Sequence, residues 1–489
     1  MSVAAAARVS YLDQVLKAAD ATIPRYDDYQ LMVTARPNAA HRLRVFFLAS
    51  DDAVELDTEE LREGNAQITY AQIKAAVHMQ QVVLEHDYAP STKLQHLAKL
   101  GYQHFVYDTS SGTDLRSLGE VHTMMARDTL RYTPAAWLSG EVGLDAELGF
   151  FRADVLDVPL PKEGAPPAYM DVESSRSVYK EVASSAALGA WLELELRPWQ
   201  DLTIVPGLRL DLYGDIDALA VDPRIHGRYA LSEQVALKAA SGVYHAQPAF
   251  DEIVRNFGNP DLDVERAWQH SAGVELLPLP FLQLDLTGFY HQLDDLAAPS
   301  NRVKVVDDEA VPLRFESTGE GRAYGLEVML RQQLAYRLSG WVAYTLARTE
   351  RRAAAGEPFR VFDFDQTHSL ALVAAYQLPW HVQLSTRFRY RTGRPTTPVT
   401  GATFVSHNDE YAPTYGPTNS ARLATFHQLD VRIDKQWVFD RWSCTAYLDV
   451  QNIYNRNNSL DLTYSYDYRQ STKVQGLPLL AIVGFKAEY

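Results

Sequence analysis

The sequence predicts an all-β protein, a large antiparallel transmembrane β-barrel with about twenty visible strands, short turns on one rim and long loops on the other. Three observations carry this. Segments of strand length alternate apolar and polar residues one by one; tight and long connections take turns between them; and no apolar run approaches the ~18 residues of a membrane helix. In the stretch 202–214, Leu202, Ile204, Leu208, Leu210 and Leu212 share one face, while Thr203, Arg209, Asp211 and Tyr213 share the other. Such a strand buries one face and wets the other. A soluble sandwich stops at far fewer than about twenty such strands.

In chain order, strands are expected near 2–13, 27–37, 42–51, 70–88, 93–110, 115–132, 136–152, 179–197, 200–214, 219–231, 233–247, 263–277, 281–292, 318–334, 337–351, 365–378, 381–394, 423–437, 442–456 and 479–489. The first reads as a strand directly from Met1, in SVAAAARVSYL, with no basic n-region, apolar h-region or cleavage site of a secretory signal. The alternation is least distinct over the N-terminal quarter. It is clearest in the strand that Phe281 opens, where Leu282, Leu284, Leu286 and Tyr290 oppose Gln283, Asp285, Thr287 and His291.

Turn residues separate these strands in two ways. Tight connections fall at Pro198-Trp199-Gln200, Pro278-Leu279-Pro280, Tyr336-Arg337, Leu378-Pro379-Trp380 and Asp440-Arg441. Long ones, rich in Pro, Gly, Asp and Asn, span 153–178, 248–262, 293–317, 352–364, 395–422 and 457–478. From residue 233 the two kinds alternate without a break, as periplasmic turns and extracellular loops do in outer-membrane barrels. Trp137, Trp199, Trp380, Trp437 and Trp442, five of the eight tryptophans, fall at the short-turn rim, where indole marks a membrane–water interface.

Composition agrees. Charged residues make up 22% of the chain and the mean hydropathy is slightly negative, as expected where half of every strand faces a wet lumen. The net charge of −16 argues against a nucleic-acid partner, whose phosphates demand a basic face. One cysteine, Cys444, excludes an intrachain disulfide framework; it reads as a small filler on the face of Trp442, Ala446, Leu448 and Val450.

Several stretches resemble the β-barrel of TonB-dependent outer-membrane receptors of Gram-negative bacteria. They are Pro206-Gly207-Leu208-Arg209-Leu210-Asp211, Tyr324-Gly325-Leu326-Glu327, Phe364-Asp365-Gln366-Thr367-His368, Val450-Gln451-Asn452-Ile453-Tyr454-Asn455 and the terminal Gly484-Phe485-Lys486-Ala487-Glu488-Tyr489. In order and spacing they cover the C-terminal two thirds. The resemblance implies an outer-membrane receptor barrel over 1–489, taking up a scarce small-molecule ligand such as an iron-siderophore or similar metal chelate. It also implies about 22 strands, an N-terminal plug and a signal peptide, so these segments and a pair of strands are expected outside this sequence. Outer-membrane lipid is then a partner, and the TonB complex is reached only through the plug. The alternatives are a passive porin-like channel and a non-functional truncated receptor fragment. A soluble propeller would show repeats of about 40 residues, and none is evident.

Candidate ligand-binding residues lie on the lumen and loops. Arg387, Arg389 and Arg391 alternate with Phe388 and Tyr390, so their guanidinium groups share the lumen side of one strand. They either attract an anionic ferric chelate or pair with carboxylates such as Asp430 and Asp434. Trp341, on the face of Ser339, Ala343 and Thr345, is a lumen-side stacking surface or a plug contact. His407, Tyr411 and Tyr415, with Asp409 and Glu410, give the 395–422 loop a composition suited to ligand capture. His78 with Met79, and His122 with Met124, are soft-metal donors for which the sequence places no second cluster nearby, and they read as filling; Met125 falls on the other face. Asp51-Asp52 and Asp307-Asp308-Glu309 read as acidic loop tips. No Gly-x-Ser-x-Gly, paired-histidine zinc motif or phosphate loop is present, so neither an enzymatic activity nor a cofactor is expected.

Overall fold

The computed structural model describes residues 1–10, 25–56, 73–111, 115–157, 177–253, 258–306, 309–406 and 410–488. Its strands begin with β1 (Ser2–Val9), β2 (Arg25–Asn38), β3 (His41–Leu56), β4 (Ile73–Ser91), β5 (Leu94–Ser111), β6 (Leu115–Ala135), β7 (Leu138–Asp157), β8 (Ser177–Trp199), β9 (Leu202–Tyr213) and β10 (Ala218–Ala230). They continue with β11 (Val235–Ala246), β12 (Glu265–Leu279), β13 (Leu282–Pro299), β14 (Val303–Val306), β15 (Glu309–Pro312), β16 (Phe315–Ala335), β17 (Leu338–Arg352), β18 (Arg360–Val361), β19 (His368–Leu378) and β20 (Val382–Arg391). The remainder are β21 (Pro395–Thr396), β22 (Val399–Val405), β23 (Glu410–Tyr415), β24 (Ala421–Arg422), β25 (Phe426–Val438), β26 (Ser443–Gln451), β27 (Ser459–Tyr464), β28 (Ser471–Gln475) and β29 (Leu480–Glu488). A single turn of helix, α1 (Phe250–Ile253), follows β11.

Twenty of these strands form one antiparallel meander, each paired with the next long strand in the chain. β1 to β13 run in order, followed by β16, β17, β19, β20, β25, β26 and β29. β18 adds a two-residue pairing to the loop end of β17, making a 21-stranded sheet. The remaining short strands form hairpins within the long loops: β14–β15, β21–β24, β22–β23 and β27–β28. The long loops thus contain strands of their own, such as Val399–Val405.

The period-two pattern divides the wall into an apolar outer face and a charged lumen face. Leu208, Leu210 and Leu212 of β9 stand exposed on the outer face beside Leu188, Leu192, Leu219 and Val221. On the opposite face Arg209 donates to Asp145 at 3.1 and 3.2 Å and to Asp211 at 2.6 and 2.7 Å, and Arg127 donates to Asp145 at 2.9 Å. Arg127 and Arg209 also lie over the ring of Trp191, at 5.3 and 5.7 Å. Lys238–Asp285 and Arg228–Glu275 continue this pattern on β10 to β13. A charge on the lipid side near the midplane would cost about 2–4 kcal/mol for Arg or Lys, so one-residue alternation fixes the register of every hairpin. Two apolar grooves of ≈ 440 and ≈ 630 Å³ also lie on the outer face, lined mainly by Val82, Leu84, Leu100, Met124, Leu144 and Leu188. Their lining suits acyl chains.

Aromatic residues mark both edges of the apolar band. Trp137, Trp199, Trp380, Trp437 and Trp442 are exposed at the short-turn rim, Trp380 to 82%. Trp268, Tyr290 and Tyr324 form the corresponding outer-face belt nearer the loops, with Tyr290 and Tyr324 stacked at 6.5 Å. Asp51 and Asp52 are not loop tips. They lie within β3, opposite His78 and Val77, because the wall strands extend past the apolar band.

Two short turns carry bulky residues in the left-handed region: Tyr336 and Arg337 at φ 52° and 66°, and Trp380 and His381 at φ 61° and 56°. Type I′ hairpin turns need positive φ at both central residues, and glycine adopts it without Cβ strain. Arg337→Gly is therefore expected to stabilise the barrel by roughly 1 kcal/mol, the usual cost of a left-handed side-chain residue. A urea midpoint in detergent checks this; a lowered midpoint would show that the arginine makes a compensating contact.

Candidate functional site

The candidate site is built on the lumen face of β17 to β26 and on the loops beyond β20 and β26. In the register, Trp341 of β17 stands opposite Val373 of β19, which stands opposite Arg387 of β20, itself opposite Asp430 of β25. Opposed residues share a face, so Trp341, Arg387 and Asp430 lie in one lumen row. Trp341 and Arg387 are separated by one strand, about 10 Å at ordinary strand spacing.

The arginine ladder is partly paired. Arg387 donates Nε to Asp430 at 2.9 Å and holds its carboxylate through Nη2 at 2.7 Å; Arg389 approaches the same carboxylate at 3.7 Å and lies over Phe426 at 5.7 Å. The Asp430 side chain is only 6% exposed. It also accepts from Gln428 at 2.6 Å and from the backbone N–H of Asn452 at 2.9 Å. Asp434, the other carboxylate anticipated for this ladder, is taken by Arg432 on its own strand at 2.7 Å. Arg391 differs. It ends β20 at the loop rim, is exposed, and has no carboxylate within ion-pair distance among the described residues.

In the long loops two hairpins meet through aromatic rings. Tyr411 of β23 packs on Phe404 of β22 at 5.2 Å and edge-on against Tyr466 of the β27–β28 turn at 5.5 Å. Tyr415 lies opposite Val399. Burial, and then the nearby Tyr468 and Tyr464, push its phenol above the ordinary tyrosine range, so it stays a neutral hydrogen-bonding group. Asp467, at the tip of the other hairpin, is held below the usual carboxylate range by the Ser465 hydroxyl and the backbone N–H of Arg469. The structure therefore brings Tyr411 and Tyr415 together with Tyr464, Tyr466 and Tyr468, which the sequence reading did not select. Their alternation in YSYDY was the available signal. His407 and Asp409 lie outside the described residues, as do Asp307, Asp308 and Tyr489.

A buried latch ties the segment before β19 to the returning end of the 395–422 loop. The Asp365 side chain, 1% exposed, accepts from the backbone N–H of Thr349 at 2.8 Å and pairs with Arg422. Arg422 also donates to the carbonyls of Asp365 and Gly393, both at 3.1 Å. A Cβ at Gly393 would lie 1.9 Å from the Leu423 carbonyl oxygen, so only glycine lets the chain leave β20 this close to the returning strand.

Comparison with known proteins places this architecture. Residues 24–453 match the family model for the TonB dependent receptor-like β-barrel. The chain belongs to the TonB-dependent receptor β-barrel family. Members of this family are transport receptors of the outer membrane, and its wall of short turns and long loops is the one described above. Similar solved structures include P. aeruginosa FpvA bound to heterologous pyoverdines, at TM-score 0.69 and 12% identity, covering 95% of this chain and 65% of that one. The siderophore receptor PiuA from Acinetobacter baumannii matches at TM-score 0.69 and 11% identity, over 96% of this chain and 75% of that one. The ferric-catecholate import receptor Fiu from E. coli K12 matches at 0.65 and 12%, over 96% and 75%. At these identities the likeness is one of fold. A search of curated protein sequences gave no match.

Proposed function

We propose that this chain is the barrel of an outer-membrane uptake receptor for a scarce anionic ligand, a ferric siderophore or similar metal chelate. The observation that carries this reading is Arg391, an exposed lumen-face cation at the loop end of β20, in a barrel whose loop hairpins also hold a cluster of tyrosines. A low-dielectric wall around a cation with no carboxylate partner among the described residues concentrates anions, and aromatic rings supply flat contact area for a chelate. The named ligands of FpvA, PiuA and Fiu are of the same class. In this reading the barrel supplies affinity and a path and does no bond chemistry. Coupling to the TonB complex runs through a plug domain rather than through the barrel wall.

The test is a fluorescence titration of the purified chain in detergent with ferric tris-catecholate, an anionic chelate, and with an uncharged ferric chelate. The reading predicts preference for the anion, and roughly tenfold weaker binding in Arg391→Glu, or ~1.4 kcal/mol. Equal affinity for both chelates, unchanged by the substitution, would overturn it.

A further inference from the structure

We infer that the outer wall of the barrel carries a divalent transition-metal site formed by His104, Glu120 and His122. His104 of β5 and His122 of β6 are opposed in the register, and Glu120 lies two residues before His122 on the same face. The two rings are stacked at 4.5 Å and 6°. Both Nε2 atoms point at one carboxylate oxygen of Glu120, at 3.0 Å from His104 and 3.4 Å from His122. One ligand atom from each residue lies within 4.8 Å of the other two, close enough to converge on one ion with small side-chain shifts. Two imidazoles and a carboxylate are a borderline donor set suited to Zn²⁺, Co²⁺, Ni²⁺ or Cu²⁺, and unsuited to Ca²⁺ or Mg²⁺.

The far side of the His122 ring is also arranged for this role. Its Nδ1 lies 2.8 Å from the Tyr102 hydroxyl. With metal on Nε2, Nδ1 carries the proton and donates it to that oxygen, the supporting bond that fixes the tautomer of metal-bound histidines. Tyr102 is thus a positioning residue.

The site faces away from the lumen, so it is separate from the ligand path. The row beneath it, Tyr102, Met124 and Leu148, is apolar and 40–50% exposed. The row above holds Glu120 opposite Arg152, and the Asp51–His78 ion pair on β3 and β4. His104 and His122 therefore sit where the apolar band ends and the polar surface begins. Three ligands leave a coordination position open toward that boundary. His122 was read from sequence as filling beside Met124. The structure adds His104 and Glu120 beside it, and it leaves Met125 on the other face, next to Gly101.

The experiment uses the untagged full chain in detergent, freed of metal, titrated with Zn²⁺ and separately with Co²⁺ followed by its visible absorption. One tight equivalent is expected, with binding weakened at least a hundredfold in His104→Ala and His122→Ala and roughly tenfold in Tyr102→Phe. His86→Ala, which disrupts the stacked His41–His86 pair near the other rim, should leave that equivalent in place. Heat-modifiable gel migration identifies variants that remain folded. Retention of the equivalent in folded His104→Ala and His122→Ala, or its loss in His86→Ala alone, would overturn the inference, as would the absence of any Zn²⁺-dependent signal.

Discussion

Asp365→Ala is expected to destabilise the barrel by about 3–5 kcal/mol, because removing one partner of a buried ion pair leaves the other charge uncompensated. Arg422 would lose its carboxylate, and the backbone N–H of Thr349 would lose its acceptor. Asp365→Asn keeps an acceptor for Thr349 and should lie between wild type and alanine. Urea unfolding in detergent, read by the shift between folded and unfolded gel bands, measures the effect. Because the latch ties 365 to the returning end of the 395–422 loop, the same substitution should make that loop more sensitive to protease. A stability unchanged within about 0.5 kcal/mol would mean that the carbonyl contacts of Arg422 hold the loop without the carboxylate.

The second large effect is expected at Asp430, which holds two arginines, a glutamine and the Asn452 backbone. Asp430→Ala should also cost about 3–5 kcal/mol by the same argument. Asp430→Asn is the more informative change. It keeps hydrogen-bond acceptance for Asn452 but removes the negative charge, leaving Arg387, Arg389 and Arg391 as a less neutralised ladder. Binding of ferric tris-catecholate should then tighten at low salt, with the gain fading as ionic strength rises past the Debye screening range. A weaker or salt-independent response in a folded variant would assign the ladder a purely structural role.

Most of the wall was legible from residues alone. A period of two survives any uncertainty in strand ends, so the Phe281 strand and the Leu202 strand had their faces assigned before their partners were known. Turn chemistry at Tyr336-Arg337 and Trp380 then set hairpin registers. What escaped were contacts that need the strand register to the residue. The strands expected at 93–110 and 115–132 bracket the connection, but strand ends alone do not show that His104 and His122 are opposed. The Asp365–Arg422 latch escaped for a related reason: its partners are 57 residues apart and meet through loop packing, which has no periodic signature. Trp341 and Arg387 were placed on the lumen face separately, but their common row depends on the register of the intervening β19.

The most direct measurement is sided labelling on intact Gram-negative cells expressing the chain behind a secretory signal, in a Cys444→Ser background, with a membrane-impermeant maleimide. A cysteine placed by Thr403→Cys in the β22–β23 hairpin and another by Asp440→Cys in the β25–β26 turn report the two rims. The account predicts labelling of the first from outside and of the second only after the outer membrane is opened. Labelling of both in intact cells, or of the turn alone, would contradict an outer-membrane receptor barrel with its ligand-capturing loops facing outward.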